Sequence, residues 1–216
     1  MSKFDKQIVC VNTKELLGKD YFQGFAPASE KHYWQRIMDC MHARRRGDVE
    51  EDPTVKQVIG YAMVVHMPSK TVLAYQRSTD ATKYTETRAY GNWSWGVGGH
   101  MEMVDTGTDP VTASLRRELA EEIGLKEGYE LEILGFINDD RDALGKVHFG
   151  VLYLIKVGGQ DIKPADGEMS RAEFLSVKEL TELIAAKTAK IDGWSEIALE
   201  PLSHVFDGKT VQPKSF

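Results

Sequence analysis

Cysteine is nearly missing from this chain: Cys10 and Cys40 are its only two. Two thiols cannot build a disulfide framework, and neither stands in a metal-knuckle spacing, so a reducing cytoplasm is the expected compartment. An excess of positive charge is missing too. The formal net charge is −6 at pH 7, which argues against an extended nucleic-acid surface. No stretch reaches the ~20 apolar residues that span a bilayer, so no membrane partner is expected. The leading run MSKFDKQIVCVNTKELLGKD has no long apolar segment and is not expected to act as a signal peptide. Repeats and low-complexity tracts are also lacking. What remains is an ordinary globular composition, 42% hydrophobic and 28% charged over 216 residues, enough for one sizeable domain with or without an extension.

The chain divides by pattern. QIVCV, Gln7 to Val11, reads as a short strand. Residues 28–48, ASEKHYWQRIMDCMHARRRGD, read as one helix. Ser29 stands at its N-cap, Tyr33, Ile37, Met38 and Met41 recur at helical spacing, Arg44 to Arg46 suit the last turn, and Gly47 ends it. The acidic GDVEEDP reads as a linker. Residues 1–54 are therefore expected to be an extension of strand plus helix, and 55–216 the main domain. The helix's apolar side is expected to pack on that domain or on a second copy of the chain, as a homodimer.

In the main domain VIGYAMVVHM, KTVLAYQRS, LEILGFIND and VHFGVLYLIKV read as strands. The last is apolar throughout, as a strand buried on both faces would be. Between the last two lies the polar DDRDALGK, whose Asp139, Asp140 and Asp142 read as a solvated hairpin tip. SVKELTELIAAKTA reads as a helix capped by Ser176, with Glu179 placed for a capping box. GWSEIALEPLSHVF reads as a last helix interrupted near Pro201. Strands with helices between and after them predict a mixed sheet with helices packed against it, an α/β fold.

One segment conflicts with a simple amphipathic reading. TDPVTASLRRELAEEIGL has strong helix signals: Asp109 as N-cap, Pro110 at the first position and Gly124 as the stop. At about 100° per residue Val111, Leu115, Leu119 and Ile123 form one stripe. Glu122 falls inside that apolar arc, Glu118 lies on its edge, and Glu121 is one step further round. Like charges this close repel, and an unpaired buried carboxylate must neutralise or find a partner. Arg117 can pair with Glu121, four residues on. That leaves Glu118 and Glu122, and a hard divalent ion such as Mg²⁺, Mn²⁺ or Ca²⁺ would resolve the conflict. GVGGH, just before the helix, brings backbone that can approach a ligand closely.

GGHME followed by RRELAEEIGL resembles the Nudix box, a glycine-led loop and helix with the core Arg-Glu-hydrophobic-x-Glu-Glu-x-Gly-hydrophobic. Arg117 to Leu125 match every specified position of that core. The resemblance covers roughly residues 56–190 and leaves residues 1–54 outside. The segment from Gly99 to Arg117 is about four residues longer than the family's, MVDTGTDP carrying the excess. Asp109 stands where the family's first glutamate usually falls and reads as the helix cap.

The resemblance implies an α/β/α sandwich and metal-dependent hydrolysis of a pyrophosphate bond in a nucleoside diphosphate linked to a group X. It implies Mg²⁺ or Mn²⁺ held by Glu118, Glu121 and Glu122, with a backbone carbonyl from Gly99. Glu121, Glu122 or the loop residue Glu168 would serve the proton transfer, with Asp166 and Glu173 as other loop carboxylates. Arg77 and His100 are candidates for the substrate phosphates, Arg117 and Asp109 for structural support. Trp93 and Trp95 read as packing residues. The partner so implied is a small nucleotide pyrophosphate, and the polar segment Ser78 to Asn92 is expected to edge its pocket. Two alternatives share the fold. An isopentenyl-diphosphate isomerase would need a cysteine in the catalytic domain, whereas Cys10 and Cys40 lie in the extension. A non-catalytic nucleotide-binding regulatory module need not keep the three glutamates.

Overall fold

The apolar runs assemble into one mixed sheet of nine strands among the described residues. The structure is a computed structural model that describes residues 2–80, 82, 89–102, 109–164 and 167–210. In chain order the strands are β1 (Gln7–Asn12), β2 (Gly24–Pro27), β3 (His42–Arg45), β4 (Val55–His66), β5 (Thr71–Arg77), β6 (Trp93–Ser94), β7 (Tyr129–Asn138), β8 (His148–Val157) and β9 (Met169–Ser176). The helices are α1 (Thr13–Leu16), α2 (Lys31–Cys40), α3 (Arg46–Val49), α4 (Pro110–Ile123), α5 (Ala143–Lys146), α6 (Val177–Ala185) and α7 (Gly193–Phe206).

β4 and β8 lie side by side at the centre and run parallel, from Gln57↔His148 to Val65↔Lys156. Both are buried along almost their whole length, as apolar strands of a sheet covered on both faces must be. The order outward on one side is β8, β7, β2. On its other edge β4 changes partner along its length. Val55, Lys56 and Gln57 pair with β1, which in turn pairs with β3. Val65 and His66 pair with β5, which carries β6 and β9. Between them the middle of β4 is bridged by a loop, Ile59 with His100 and Ala62 with Val97.

Alternation along β4 builds two cores, since successive side chains point to opposite faces. Val58, Ala62 and Val64 join Tyr33 and Ile37 of α2 and the α4 stripe on one face. Ile59, Tyr61, Met63 and Val65 join Leu180 of α6 and Ala198, Leu202 and Phe206 of α7 on the other. The result is the α/β/α sandwich.

Four elements differ from the sequence reading. The helix expected over residues 28–48 is only Lys31–Cys40, with Glu30 rather than Ser29 before it and no side-chain cap bond. Met41 turns extended, and residues 42–45 become β3, paired antiparallel with Gln7 to Cys10. A sheet edge that needs hydrogen bonds outcompetes helix propensity here. The acidic linker contains the single-turn α3. α7 runs unbroken through Pro201, which is buried in it. The hairpin tip is solvated only in part, Arg141 to Ala143 being exposed. Asp139 is buried and bonded to Arg141, Asp142 caps α5 by accepting from the Gly145 N–H, and the fully buried Lys56 ammonium donates to Asp140 at 2.6 Å and to the Gly145 carbonyl at 2.9 Å.

The signals read for α4 and α6 operate as capping chemistry. Asp109 accepts from the Thr112 N–H at 2.9 Å, and Gly124 adopts φ +67° at the helix end. Ser176 and Glu179 form a reciprocal capping box.

Candidate active site

The glycine loop is placed by β4. Val97 exchanges two backbone hydrogen bonds with Ala62, at 2.8 and 2.9 Å, and Met101 donates to the Val58 carbonyl. Two glycines in it are required by proximity. Gly98, at φ +152°, passes so close to β4 that any Cβ would collide with the Gly60 carbonyl oxygen. At Gly99 a Cβ would stand 2.6–2.8 Å from the Glu118 carboxyl group. The loop backbone is thus laid directly against the acidic helix.

α4 is fixed from beneath. Val111, Leu115 and Leu119 are fully buried and Ile123 almost so, each such side chain contributing about 1.5–3 kcal/mol. This anchoring turns Glu118 inward: its side chain is 14% exposed, against 60% for Glu121. Burial raises the Glu118 pKa above the ordinary carboxylate range, partly offset by the neighbouring Arg117 guanidinium. Arg117 Nη1 donates to Glu118 at 2.5 Å and lies 3.5 Å from Glu121, while Nη2 donates to the His100 carbonyl at 3.3 Å. The sequence reading paired Arg117 with Glu121. In the structure the shorter bond goes to Glu118, and the same guanidinium ties the helix to the glycine loop.

These groups open onto one cleft of about 480 Å³. Gly99, His100, Arg117, Glu118, Glu121, Glu122, Arg77 and Glu168 all line it. Asp109 does not; it caps α4 from outside. Arg77 lies 4.0 Å from Asp192, the N-cap of α7, whose pKa burial raises and Arg77 lowers in part. Glu168 is carried beside them because its carbonyl accepts from the Ser78 N–H at 2.7 Å. Glu173 sits on β9, bonded to Arg171, away from the cleft lining. Asp166, most of the polar segment between Ser78 and Asn92, and the lengthened part of the loop at 103–108 lie outside the described residues.

His100 is more deeply engaged than a loop histidine need be. Its Nε2 is 2.8 Å from the Gln57 side-chain oxygen and 3.1 Å from His148 Nε2. His148 Nδ1 is 2.7 Å from the Leu144 carbonyl. A carbonyl only accepts, so Nδ1 of His148 carries the proton, and its Nε2 is an acceptor sharing the His100 N–H with the nearer Gln57 oxygen. Burial holds both rings neutral, His148 at about 4 and His100 well below its ordinary value, with Arg46, Lys3 and Lys6 adding repulsion at His100. A neutral His100 brings no positive charge to a phosphate.

Several cleft residues gave no sequence signal: Glu102, His148, Asp192, Trp194, and Lys3, Lys6 and Arg46 from the first 54 residues. Trp93 and Trp95 instead pack in the core beneath α6 and α7. Cys10 is buried and its thiol pushed up to about 12, and neither cysteine lines the cleft, so no thiol serves an isomerase-type site there.

The donor chemistry fits a hard divalent ion, because the inward groups are carboxylates beside exposed loop backbone. Among the described residues no three acidic, histidine or cysteine side chains converge as a closed cage. The donors share the cleft, with Glu118 turned to Arg117.

Known proteins resemble the chain along the same lines. The model of the NUDIX domain matches residues 56–194. Protein YmaB of Bacillus subtilis (strain 168) is 28% identical over 212 residues, covering 94% of this chain and 100% of YmaB. The crystal structure of Tm1382, a candidate Nudix hydrolase, superposes with a TM-score of 0.73 at 25% identity, over 93% of this chain and 100% of that one. The NUDIX domain of Shewanella oneidensis NrtR, complexed with ADP ribose, shares the fold at a TM-score of 0.53 and 17% identity, over 69% of this chain and 88% of that one. With the family's domain model spanning most of its length and its box helix set against the glycine loop, the chain belongs to the Nudix family and has the fold of its hydrolases.

Proposed function

We propose that the chain is a divalent-metal-dependent pyrophosphohydrolase acting on a nucleoside diphosphate linked to another group. The observation that carries this reading is Glu118, a carboxylate buried against the Gly99 backbone in a cleft whose described lining holds eight carboxylates and five Lys or Arg side chains. A pyrophosphate cannot enter such a cleft without additional positive charge. When bound, Mg²⁺ or Mn²⁺ supplies that charge and acidifies water. Glu118 and Glu122, four apart on α4, are the pair assigned to hold the ion, with Glu121 and the Gly99 carbonyl as further donors. Arg117 is a positioning residue. If Glu118 turns to the ion, Arg117 keeps its contacts with Glu121 and the His100 carbonyl.

At the other wall the Arg77 guanidinium binds phosphate oxygens through paired N–H donors. The Glu168 carboxylate takes the proton of the attacking water. Trp194, whose ring meets Tyr61 edge-on at 5.4 Å, offers an aromatic wall to the nucleoside. The ADP ribose bound to the NrtR domain supports a nucleotide-derived ligand on this fold.

The test is hydrolysis of a panel of nucleotide pyrophosphates with Mg²⁺ or Mn²⁺, with Glu122→Gln run beside the parent. Metal-dependent turnover lost by at least about 10²-fold in the variant is expected. Nucleotide binding without turnover by the parent would overturn the enzyme reading in favour of a regulatory module.

A further inference from the structure

The family's domain model begins at residue 56, yet the cleft is not complete there. Three of the five cations in its described lining, Lys3, Lys6 and Arg46, come from the preceding segment. They line the cleft together with His100 and Glu102 of the glycine loop, Lys6 reaching Glu102 at 2.6 Å and the Arg46 N–H reaching the Lys6 carbonyl at 2.9 Å. The other two, Arg77 and Arg117, stand at the opposite wall and at the glutamates. The cleft therefore has cationic groups beyond those its acidic helix and Arg77 bring to a pyrophosphate.

This segment is tied down. Ser2 and Asp5 form a capping box, Asp5 pairs with Arg45 at 2.7 Å, and the Arg46 N–H donates to the Lys6 carbonyl at 2.9 Å. Lys6 reaches across to Glu102 of the glycine loop at 2.6 Å, Val9 donates to the Met101 carbonyl, and Ile8 bridges Glu102. Arg46 is oriented through Nε by Glu50 at 3.3 Å. The held heads of Lys6 and Arg46 lose less entropy on meeting an anion than free surface cations do. An ammonium has three donors and a guanidinium five, so an ion pair to one carboxylate does not exhaust either. Superposition with Tm1382 covers 93% of the chain, which necessarily takes in most of residues 1–55. The NrtR domain covers 69%.

We infer that Lys3, Lys6 and Arg46 form a docking site for a phosphate monoester that the substrate carries outside its scissile pyrophosphate. This rests on the pyrophosphohydrolase reading and narrows it to substrates with a further phosphate. A monoester dianion suits the site, because it accepts several charge-assisted hydrogen bonds at once from a cluster of cations. Selectivity then lies with the extension, while cleavage lies with α4.

The experiment compares matched pairs differing by one phosphate: coenzyme A with dephospho-coenzyme A, NADPH with NADH, and ADP ribose 2′-phosphate with ADP ribose. Values of kcat/KM in Mg²⁺ are taken for the parent, Lys3→Gln/Lys6→Gln and Lys3→Arg/Lys6→Arg. At least one pair is expected to show a tenfold or greater preference for the phosphorylated member, carried in KM. The glutamine variant is expected to bring that ratio to within twofold of one, and the arginine variant to restore it. Equilibrium binding of the same pairs to Glu122→Gln should show the same ratio without turnover. If a variant fails to fold, the parent's pair ratios and their decline between 50 and 300 mM NaCl decide. Equal use of both members, or a preference that survives the glutamine variant or ignores salt, overturns the inference while leaving pyrophosphate cleavage intact. No turnover of any nucleotide pyrophosphate removes the parent reading and this one together.

Discussion

Neighbouring glycines separate folding from chemistry in this cleft. Gly98→Ala places a Cβ into the Gly60 carbonyl, at a φ of +152° that alanine avoids. Neither backbone can yield without breaking the pairing of Val97 with Ala62, so a loss of at least about 3 kcal/mol is expected. Gly99→Ala meets first the Glu118 carboxyl group, 2.6–2.8 Å away, at the end of a flexible side chain. To regain ordinary contact at 3.4 Å that group must retreat by about 0.6–0.8 Å. Rotation accommodates this at a cost of about 1 kcal/mol. The displacement still exceeds the roughly 0.2 Å tolerance of a metal ligand and the ~0.5 Å tolerance of a preorganised site. Gly99→Ala should therefore melt near the parent, yet lose about 10²-fold in kcat/KM and bind Mn²⁺ at least tenfold more weakly. Urea denaturation, Mn²⁺ titration by electron paramagnetic resonance and nucleotide hydrolysis measure the three quantities. An active Gly99→Ala, within threefold of the parent, would refute the placement of Glu118 at the metal. So would a Gly99→Ala protein as unstable as Gly98→Ala.

Other perturbations follow from the same geometry. The raised Glu118 pKa means that its ionised form opposes folding at neutral pH, and that this opposition fades as pH falls through the folded value. Glu118→Gln should accordingly leave the metal-free protein at least as stable as the parent at pH 7, while the rise in Tm with added Mg²⁺ disappears; differential scanning calorimetry with and without Mg²⁺ reads both. His148, at about 4 against an ordinary 6.5, works in the opposite sense. Its neutral form stabilises the fold above pH 6.5, and on the order of 3 kcal/mol is lost as pH falls from there toward 4. His148→Asn should flatten urea midpoints between pH 7.5 and 4.5, and a slope equal to the parent's would count against the burial of His148 as a neutral ring. Lys56→Ala leaves Asp140 without its buried cation and should cost about 3–5 kcal/mol, with Lys56→Met costing less; a loss under 1 kcal/mol in denaturant titration would contradict the ion pair.

What the sequence could reveal depended on distance along the chain. The α4 seat was legible because its cap, its stripe, its glutamates and its stop fall within one segment. The capping box at Ser176 was legible for the same reason. β3 was not: His42 to Arg45 have helical neighbours and cationic side chains, and only the free edge of β1 makes them a strand. The aspartates after β7 looked like a wet turn because Lys56, which neutralises one of them, lies 84 residues earlier. Trp194 and Asp192 reach the cleft through the start of α7, and Lys3, Lys6 and Arg46 through the extension, so neither wall leaves a local pattern. The glycine loop was recognisable as a motif, but the reason for each glycine is a neighbour on β4 or α4 rather than a turn.

The path of the first strands has a consequence for how the molecule comes to exist. β1 and β3 sit on one flank of the central β4–β8 pair, whereas β2 lies on the far edge beyond β7. The segment before β4 thus crosses the sheet and returns, and β2 pairs with residues 135–138 more than a hundred positions later. On a ribosome its hydrogen-bonding partners do not yet exist, and closing such long loops is entropically slow. The β2 flank must wait for the β7–β8 hairpin to emerge, whereas β1 finds β3 and β4 within the first 66 residues. Until then Phe25 lacks its partner Ile137, so a flank made early is among the last to close.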